Sequence, residues 1–410
     1  MRILAIHRYF WPDTPPYASM LRTMARRWTE DGHQVTVLCG QPGYNAADQF
    51  GVQPRRQQLD GFNVVRCPLL PERRERKVVR LINAFGFAGS IVAHAVWRRD
   101  YDVIVASTMP PVVVALGARM AAALIGAKFV YHKQDIYPEL AVYARLMKKG
   151  VLFRLVRWLD VRNCMNAETV VVLSEDMAST ERQRGIPPGK TRIINNFELE
   201  EYGDPVELPE ALKRPEGMFR VVFAGNIGRF QGLHLVIEAA RELRGCSIRF
   251  EFLGEGIRRA ELEAQAGDLL GESIFFHGHQ PQAIARAVVA ESDLALVTLE
   301  PNMFRVAFPS KTMTYLSVGT PLLAMIEEDS ELARLVRDEH IGYVVAPGDQ
   351  KGLVDALRAA YEAHASGRAH RDRARQVFQQ KFARARALES WSALFRSFAP
   401  GTAQEQGSAP

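Results

Sequence analysis

The sequence predicts an α/β protein built as two Rossmann-like doubly wound domains facing a central cleft. Three observations carry that prediction. Short β-branched runs alternate with amphipathic helical stretches from the first residue; the alternation stops near residue 200; and it restarts in the same style at residue 219. With 410 residues and 47% hydrophobic content, the chain is long enough to build two cores.

Taken in order, Ile3–Ile6 reads as a buried strand, Leu21, Met24, Ala25 and Trp28 recur at helical spacing, and Val35–Leu38 reads as the next strand. Val103–Ala106, Phe129–Tyr131, Val170–Leu173 and Arg192–Ile194 follow, each separated by enough chain for a helical crossover, so residues 1–200 are expected to form the first domain. Between Asn195 and Met218 acids and prolines (among them Glu198, Asp204, Pro205, Pro209 and Pro215) replace any apolar period, which places a linker at 201–218. The second domain, 219–385, carries strands at Phe219–Ala224, Ile248–Leu253, Ile274–His277, Leu294–Val297, Leu322–Met325 and Tyr343–Val345. A helix over 386–398 repeats Leu388, Trp391, Leu394, Phe395 and Phe398, while residues 399–410 have nothing to bury and read as a disordered tail.

Composition narrows the partners. Cys39, Cys67, Cys164 and Cys246 are scattered without a C-x-x-C pair, which points to neither a zinc site nor a disulfide framework and fits a reducing cytoplasm. Met1 and Arg2 lead straight into a strand, so no signal peptide is expected. The best apolar run, Val112–Ile125, is short and carries Arg119, so no membrane span is expected and any membrane contact would be peripheral. Residues 1–200 hold 28 basic against 18 acidic side chains and the remainder 24 against 28. The basic half suits an acidic membrane surface or an anionic acceptor, or is simply a solvated surface. Arg73–Arg80, leading into Leu81, Ile82, Phe85, Val92 and Trp97, fits either a helix lying on a bilayer or one covering a sheet; Lys148, Lys149, Arg154 and Arg157 make a second basic patch beside Leu152, Phe153 and Trp158. No nucleic-acid partner is expected.

The sharpest motif is Phe223–Leu233, which follows the second domain's first strand and opens its first helix. Gly225, Gly228 and Gly232 let backbone amides approach a phosphate, and Arg229 favours its charge; alternatively the glycines make only a tight turn. A second motif is Pro309-Ser310-Lys311-Thr312 ahead of an apolar helix, with Ser310 as a candidate N-cap and Lys311 either a second phosphate cation or a surface lysine.

With these in view the chain resembles the GT4 family of glycosyltransferases, in particular the bacterial polysaccharide and O-antigen branch that includes fucosamine transferases. The resemblance runs in family order through His7–Asp13, Gln134–Glu139, Gly225–Leu233, Gly254–Gly256, His279–Pro281, Pro309–Lys311 and Ser330–Arg334. It implies a GT-B fold, a nucleoside-diphosphate sugar (UDP-sugar favoured) held by the second domain, a glycan or polyprenyl-diphosphate-linked acceptor on the first, and a C-terminal helix returning to the first domain. It also implies retention of anomeric configuration, with Arg229 and Lys311 holding the donor diphosphate and no metal or cofactor required. The absence of an Asp-x-Asp motif from the sequence agrees with that expectation.

By the same resemblance, Asn226, Gln231, Glu255, His279, Gln280, Ser310 and Thr314 line the donor, and Glu331 approaches it as a catalytic candidate. Asp135 is the catalytic candidate of the first domain, with a helix cap or an arginine partner as its alternative role, and Glu139 lies beside it. In the first loop prolines remove amide donors, leaving Asp13, Tyr17 and Ala18 as candidate phosphate or acceptor contacts. The chain departs from the family where two glutamates usually stand: Val306 and Thr314 occupy those positions. Two other readings remain open, a nucleotide-sugar 2-epimerase of the same architecture and a nucleotide-binding subunit without catalysis. An oxidoreductase lacks its motif, because Gly254-Glu255-Gly256 is followed by Arg259 where a small residue is needed.

Overall fold

A computed structural model describes residues 1–13, 16–43, 51–70, 77–199, 206–363 and 368–398. The chain divides into two compact units: Met1–Glu139 with Lys148–Leu199 and Arg384–Pro410, and Leu140–Met147 with Glu200–Ala383. The expected tail, residues 73–76 of the basic run and residues 201–205 of the expected linker lie outside the described residues.

In unit 1 the elements run β1 (Arg2–Ile6), α1 (Pro16–Glu30), β2 (Gln34–Gly40), β3 (Arg56–Leu59), β4 (Phe62–Cys67), α2 (Lys77–Arg98), β5 (Val103–Ala106), α3 (Val113–Ile125) and β6 (Lys128–His132). After the short α4 (Glu139–Tyr143), which straddles the unit boundary, come α5 (Val151–Met165), β7 (Thr169–Val172), α6 (Glu175–Gln183) and β8 (Thr191–Ile193). The sheet order is β3-β4-β2-β1-β5-β6-β7-β8, parallel except for β3. The β3–β4 hairpin was not among the expected strands, although Asp60-Gly61, both at positive φ, is a strong hairpin-turn signal. Right-handed crossovers place α1 on one face of this sheet and α2, α3, α5 and α6 on the other.

Unit 2 runs β9 (Phe219–Ala224), α7 (Leu233–Glu242), β10 (Ile248–Leu253), α8 (Arg259–Ala266), β11 (Ile274–Gly278), α9 (Gln282–Glu291), β12 (Leu294–Thr298), α10 (Lys311–Ser317), β13 (Leu322–Met325), α11 (Glu331–Asp338), β14 (Gly342–Val345), α12 (Gln350–Glu362) and α13 (Arg368–Lys381). Its six strands are all parallel in the order β11-β10-β9-β12-β13-β14. Counted from β9 that is 3-2-1-4-5-6, so the crevice between β9 and β12 is the topological switch point where such sheets hold ligands.

The last helix, α14 (Arg384–Arg396), belongs to unit 1, where Trp391 and Phe395 pack on Trp28 of α1 at 5.4 and 5.1 Å between ring centroids. The stretch read as a linker is partly docked: Phe197 joins the unit 1 core, and Leu208 and Leu212 join a core cluster of unit 2. Isolated apolar residues among prolines show no period, which is why the sequence hides this packing.

The longest apolar stretch is not the one expected at Val112–Ile125. Among the described residues α2 contains a stretch, Val78–Arg98, long and apolar enough by composition to cross a membrane, with a mean hydropathy of 1.4 and a third of it buried. A search for uninterrupted apolar runs misses it because Arg80, Asn83 and His94 break the run without lowering the mean far enough.

Candidate functional site

The crevice of unit 2 is built by three loops. Gly225 leaves β9 at φ 144, and its amide donates to Leu253 O (2.8 Å); Ile227 N donates to Glu255 O (2.9 Å). Gly254 and Gly256 permit this stacking, since a Cβ on either would meet the backbone oxygen of Gly225 or Ile227 at 2.0–2.1 Å. From the other side the loop after β12 closes in, with Glu300 N donating to Phe230 O (2.7 Å). Tyr315 of α10 locks the end of β9 by accepting from Ala224 N (2.8 Å) and donating to Ala224 O (3.1 Å).

Into this frame reaches Lys311. Its ammonium is shielded from solvent, sits 3.5 Å from the centroid of the Phe223 ring, and has no hydrogen-bond acceptor among the described residues. A Cβ on Gly225 would lie 3.7 Å from it, so the positive-φ glycine is the wall the cation faces. Burial lowers the Lys311 pKa to about 7. A buried cation with only a ring face for company is costly, and an anion arriving there relieves that cost. Arg229, on the same loop system, is exposed and pairs with no acid among the described residues.

The other donor-side candidates divide. Asn226 and His279 are exposed at the strand ends. Gln231 is committed to the loop itself, accepting from Gly228 N at 3.0 Å, and Gln280 donates to His277 O at 2.6 Å. The Glu255 carboxylate is paired with Arg259. Ser310 stands at the N-cap position of α10 as expected, but it takes helical φ and ψ and its side chain makes no capping bond; Thr312 N donates instead to Pro309 O at 3.0 Å. Val306 is fully buried and Thr314 half-buried. Glu331 opens α11, whose cap is Ser330 accepting from Ala333 N at 3.1 Å. Sequence reasoning missed Glu327, two residues after the end of β13: one carboxylate oxygen accepts from Asn302 N and the other is buried without a partner among the described residues. Its place two residues beyond a strand's carboxyl end was the signal available.

In unit 1 a chain of polar groups crosses the carboxyl ends of β1, β5 and β6. Asn196 donates to Gln134 Oε1 (2.7 Å), Gln134 Nε2 donates to His132 Nε2 (2.9 Å), and His132 Nδ1 meets the Tyr17 hydroxyl at 2.8 Å. Since Nε2 accepts, the single proton of a neutral His132 sits on Nδ1. His7, which packs 4.5 Å from Tyr17, is hydrogen-bonded to Ser107. Burial lowers both histidine pKa values to about 3, with His132 and Arg8 adding to the effect at His7, so both rings stay neutral. Asp13, Tyr17 and Ala18 are all buried; Asp13 clamps the loop after β2 by accepting from Gly43 N (3.0 and 3.2 Å).

Asp135 makes neither a cap nor an ion pair among the described residues, and burial raises its pKa to about 6. Its neighbour Glu139 is occupied by Arg157 (3.1 Å) and Arg184 (3.5 Å). Behind this loop lies a fully buried network absent from the sequence reading. Lys133 Nζ bonds Asp160 Oδ2 (2.6 Å) and Glu181 Oε1 (2.7 Å); Arg184 bonds the same two carboxylates (2.7 and 3.0 Å) and also Tyr137 O (3.3 Å). Two cations and two anions cancel, and the network ties the Gln134–Glu139 loop to α5 and α6. Asp160, Cys164 and Glu181 are the one group among the described residues with metal-ligand composition, and the Lys133 ammonium occupies the space among them.

Comparison with known proteins agrees with this geometry. Residues 17–196 match the glycosyl transferase 4-like domain and residues 219–363 the glycosyl transferases group 1 family. A Pseudomonas aeruginosa protein named as a glycosyltransferase, WbjE, is 28% identical over 331 residues, covering 78% of this chain and 80% of its own. WcaI of Escherichia coli, named for colanic acid biosynthesis glycosyl transfer, is 25% identical over 88% of this chain and 92% of its own. Among solved structures, sucrose-phosphate synthase from Thermosynechococcus elongatus superposes with a TM-score of 0.75 at 16% identity, covering 97% of this chain and 98% of that one. Anabaena HepE in complex with UDP superposes with a TM-score of 0.68 at 17% identity, covering 97% and 100%.

Proposed function

The chain belongs to the GT4-type glycosyltransferases of GT-B fold, and from that premise we propose a retaining, metal-independent transfer of a hexosyl or N-acetylhexosaminyl group. The donor is a nucleoside-diphosphate sugar, UDP-linked by preference, and the acceptor is a glycan or a polyprenyl-diphosphate-linked sugar in surface polysaccharide biosynthesis. The observation that carries the reading is Lys311: a shielded, unpartnered ammonium facing a positive-φ glycine at the switch point of a 3-2-1-4-5-6 sheet. The WcaI name supports the polysaccharide setting, and the UDP complex of HepE supports the carrier. Four free cysteines suit a cytoplasmic location.

In this mechanism the bond from the anomeric carbon to the diphosphate oxygen breaks, and the acceptor hydroxyl oxygen bonds the same face. The departing phosphate oxygen takes the hydroxyl proton. Lys311 and Arg229 stabilise the charge that gathers on the leaving diphosphate, and Asp135 orients the acceptor.

A thermal-shift screen against UDP, GDP, ADP and dTDP, with and without EDTA, tests the donor site. Stabilisation by one nucleotide that survives EDTA and is lost in Arg229→Ala and Lys311→Ala is expected. Stabilisation by none of the four sinks the donor-site reading. Binding without sugar transfer, or conversion of the donor with no acceptor present, replaces the transferase by a non-catalytic subunit or an epimerase. Proton NMR of the product's anomeric coupling then decides retention.

A further inference from the structure

Each face of the unit 1 sheet carries helices, and the two layers are finished differently. Over α1 the chain lays its own C-terminal helix, burying Trp28, Trp391 and Phe395. Over α2, α3 and α5 no further element is laid among the described residues. These three helices pack side by side in that order, and each shows solvent an apolar stripe at helical spacing: Leu81 and Phe85 on α2, Met120 and Leu124 on α3, Leu155 and Trp158 on α5. Phe85 and Trp158 are 55% and 59% exposed, and Trp97 at the end of α2 reaches 86%. Exposed aromatic and aliphatic residues on three adjoining helices make an interaction surface rather than ordinary scattered exposure.

Charge identifies what the surface meets. Of the arginines on the three helices, Arg98 and Arg157 pair with Asp100 and Glu139 at the helix edges, whereas the exposed Arg80, Arg154 and Arg162 meet no acid among the described residues; the helices' single acid, Asp160, is fully buried in the Lys133 network. A face with apolar stripes, flanking arginines, two exposed tryptophans and no exposed carboxylate matches an anionic bilayer surface. A protein partner would ordinarily be met by charges of both signs.

The same layer shows how α2 lies. Its inner side is built into the fold: Phe87, Ile91 and Ala95 are fully buried, Asn83 bonds both the amide and carbonyl of Leu70 (2.9 and 2.8 Å), and Gly117 of α3 admits Ala88 so closely that a Cβ there would be 2.9 Å from the Ala88 Cα. Crossing a bilayer would strip all of these contacts. We propose that α2, α3 and α5 form a docking face that rests in the plane of an anionic membrane, with α2 embedded lengthwise rather than spanning it. The proposal stands on this surface alone and does not depend on the transferase reading.

The test uses the purified full chain and vesicles of phosphatidylcholine with or without phosphatidylglycerol, without nucleotide. Sedimentation is expected to recover the protein with the anionic vesicles, and tryptophan emission to shift to the blue, the shift shrinking in Trp158→Phe. The combined variant Leu81→Ser, Phe85→Ser, Leu155→Ser, Trp158→Ser removes only exposed side chains. It is expected to keep its melting temperature and lose at least roughly tenfold in vesicle affinity. Wild-type protein that ignores anionic vesicles, or a variant that binds them equally well, overturns the proposal. So does a concentration-dependent dimer that the same four changes abolish while vesicles leave the protein free, because a second copy then covers the face.

Discussion

Lys133 in unit 1 and Lys311 in unit 2 are both lysines with buried ammonium groups, and their surroundings are opposite. Lys133 has two carboxylates at 2.6 and 2.7 Å; burial alone would lower its pKa, but Asp160, Cys164 and Glu181 together hold it above the ordinary value. Lys311 has only the Phe223 ring, and burial pulls it down to about 7. A buried charge whose partners belong to the fold is architecture. A buried charge whose partner is missing from the fold marks where a ligand's charge is to arrive.

The comparison breaks first at Lys133. Lys133→Met leaves Arg184 as the one cation facing Asp160 and Glu181 among the described residues, with the Tyr131 hydroxyl still donating to Asp160, and urea denaturation is expected to show a loss of about 3–5 kcal/mol. A loss under about 1 kcal/mol would mean that the network is not holding unit 1 together.

Lys311→Met should do the reverse. The free protein stays as stable or becomes more so, while turnover of nucleotide sugar falls by about 10²–10³-fold, the range for removing one preorganised charge-stabilising donor. The sign in pH follows from the lowered value. The folded state binds the Lys311 proton more weakly than the unfolded chain does, so this residue's contribution to stability rises with pH between about 7 and 10.5 and is flat below 7. A diphosphate favours the charged form, so binding takes up a proton above pH 7 and affinity declines there. Calorimetry at pH 8 in buffers of different ionisation enthalpy measures that uptake; equal uptake in Lys311→Met would assign it elsewhere.

Asp135 sharpens the contrast within unit 1, because it is the carboxylate beside the network that the network does not pair. Activity is expected to fall as pH drops through about 6, where the raised pKa protonates it, and Asp135→Asn should lower kcat/KM by about 10²-fold and erase that limb. The smallest effect is at Ser310. Its side chain caps nothing, so Ser310→Ala should leave stability within about 0.5 kcal/mol; a loss of 1 kcal/mol or more would restore the cap the sequence suggested.

The fold was largely legible because its signals are local. The strand runs of unit 2 from Phe219 to Val345 fall within a residue of those observed, since a buried parallel strand needs a continuous apolar run wherever it lies. The glycine loop after β9 and Lys311 were legible for a related reason, as short motifs beside strand ends. The Lys133 network was not, because its members stand at 133, 160, 181 and 184 on a strand end, two helices and a helix cap. Nothing in that spacing distinguishes them from surface charges.

What the amino-acid sequence determined alone, then, is what nearest neighbours along the chain decide: strand and helix periods, the two-unit division, the positive-φ glycines, and the motifs that carry the family resemblance. Tertiary structure decided which charges are answered. It spent Gln231, Glu255, Asp13 and Glu139 on the fold's own loops and left Lys311, Arg229 and Asp135 without partners among the described residues. It also covered one helical face of unit 1 and left the other without a covering element among the described residues. The physical reason is that pairing and burial depend on distances of a few ångströms between residues far apart in the chain, and only the folded backbone sets those distances.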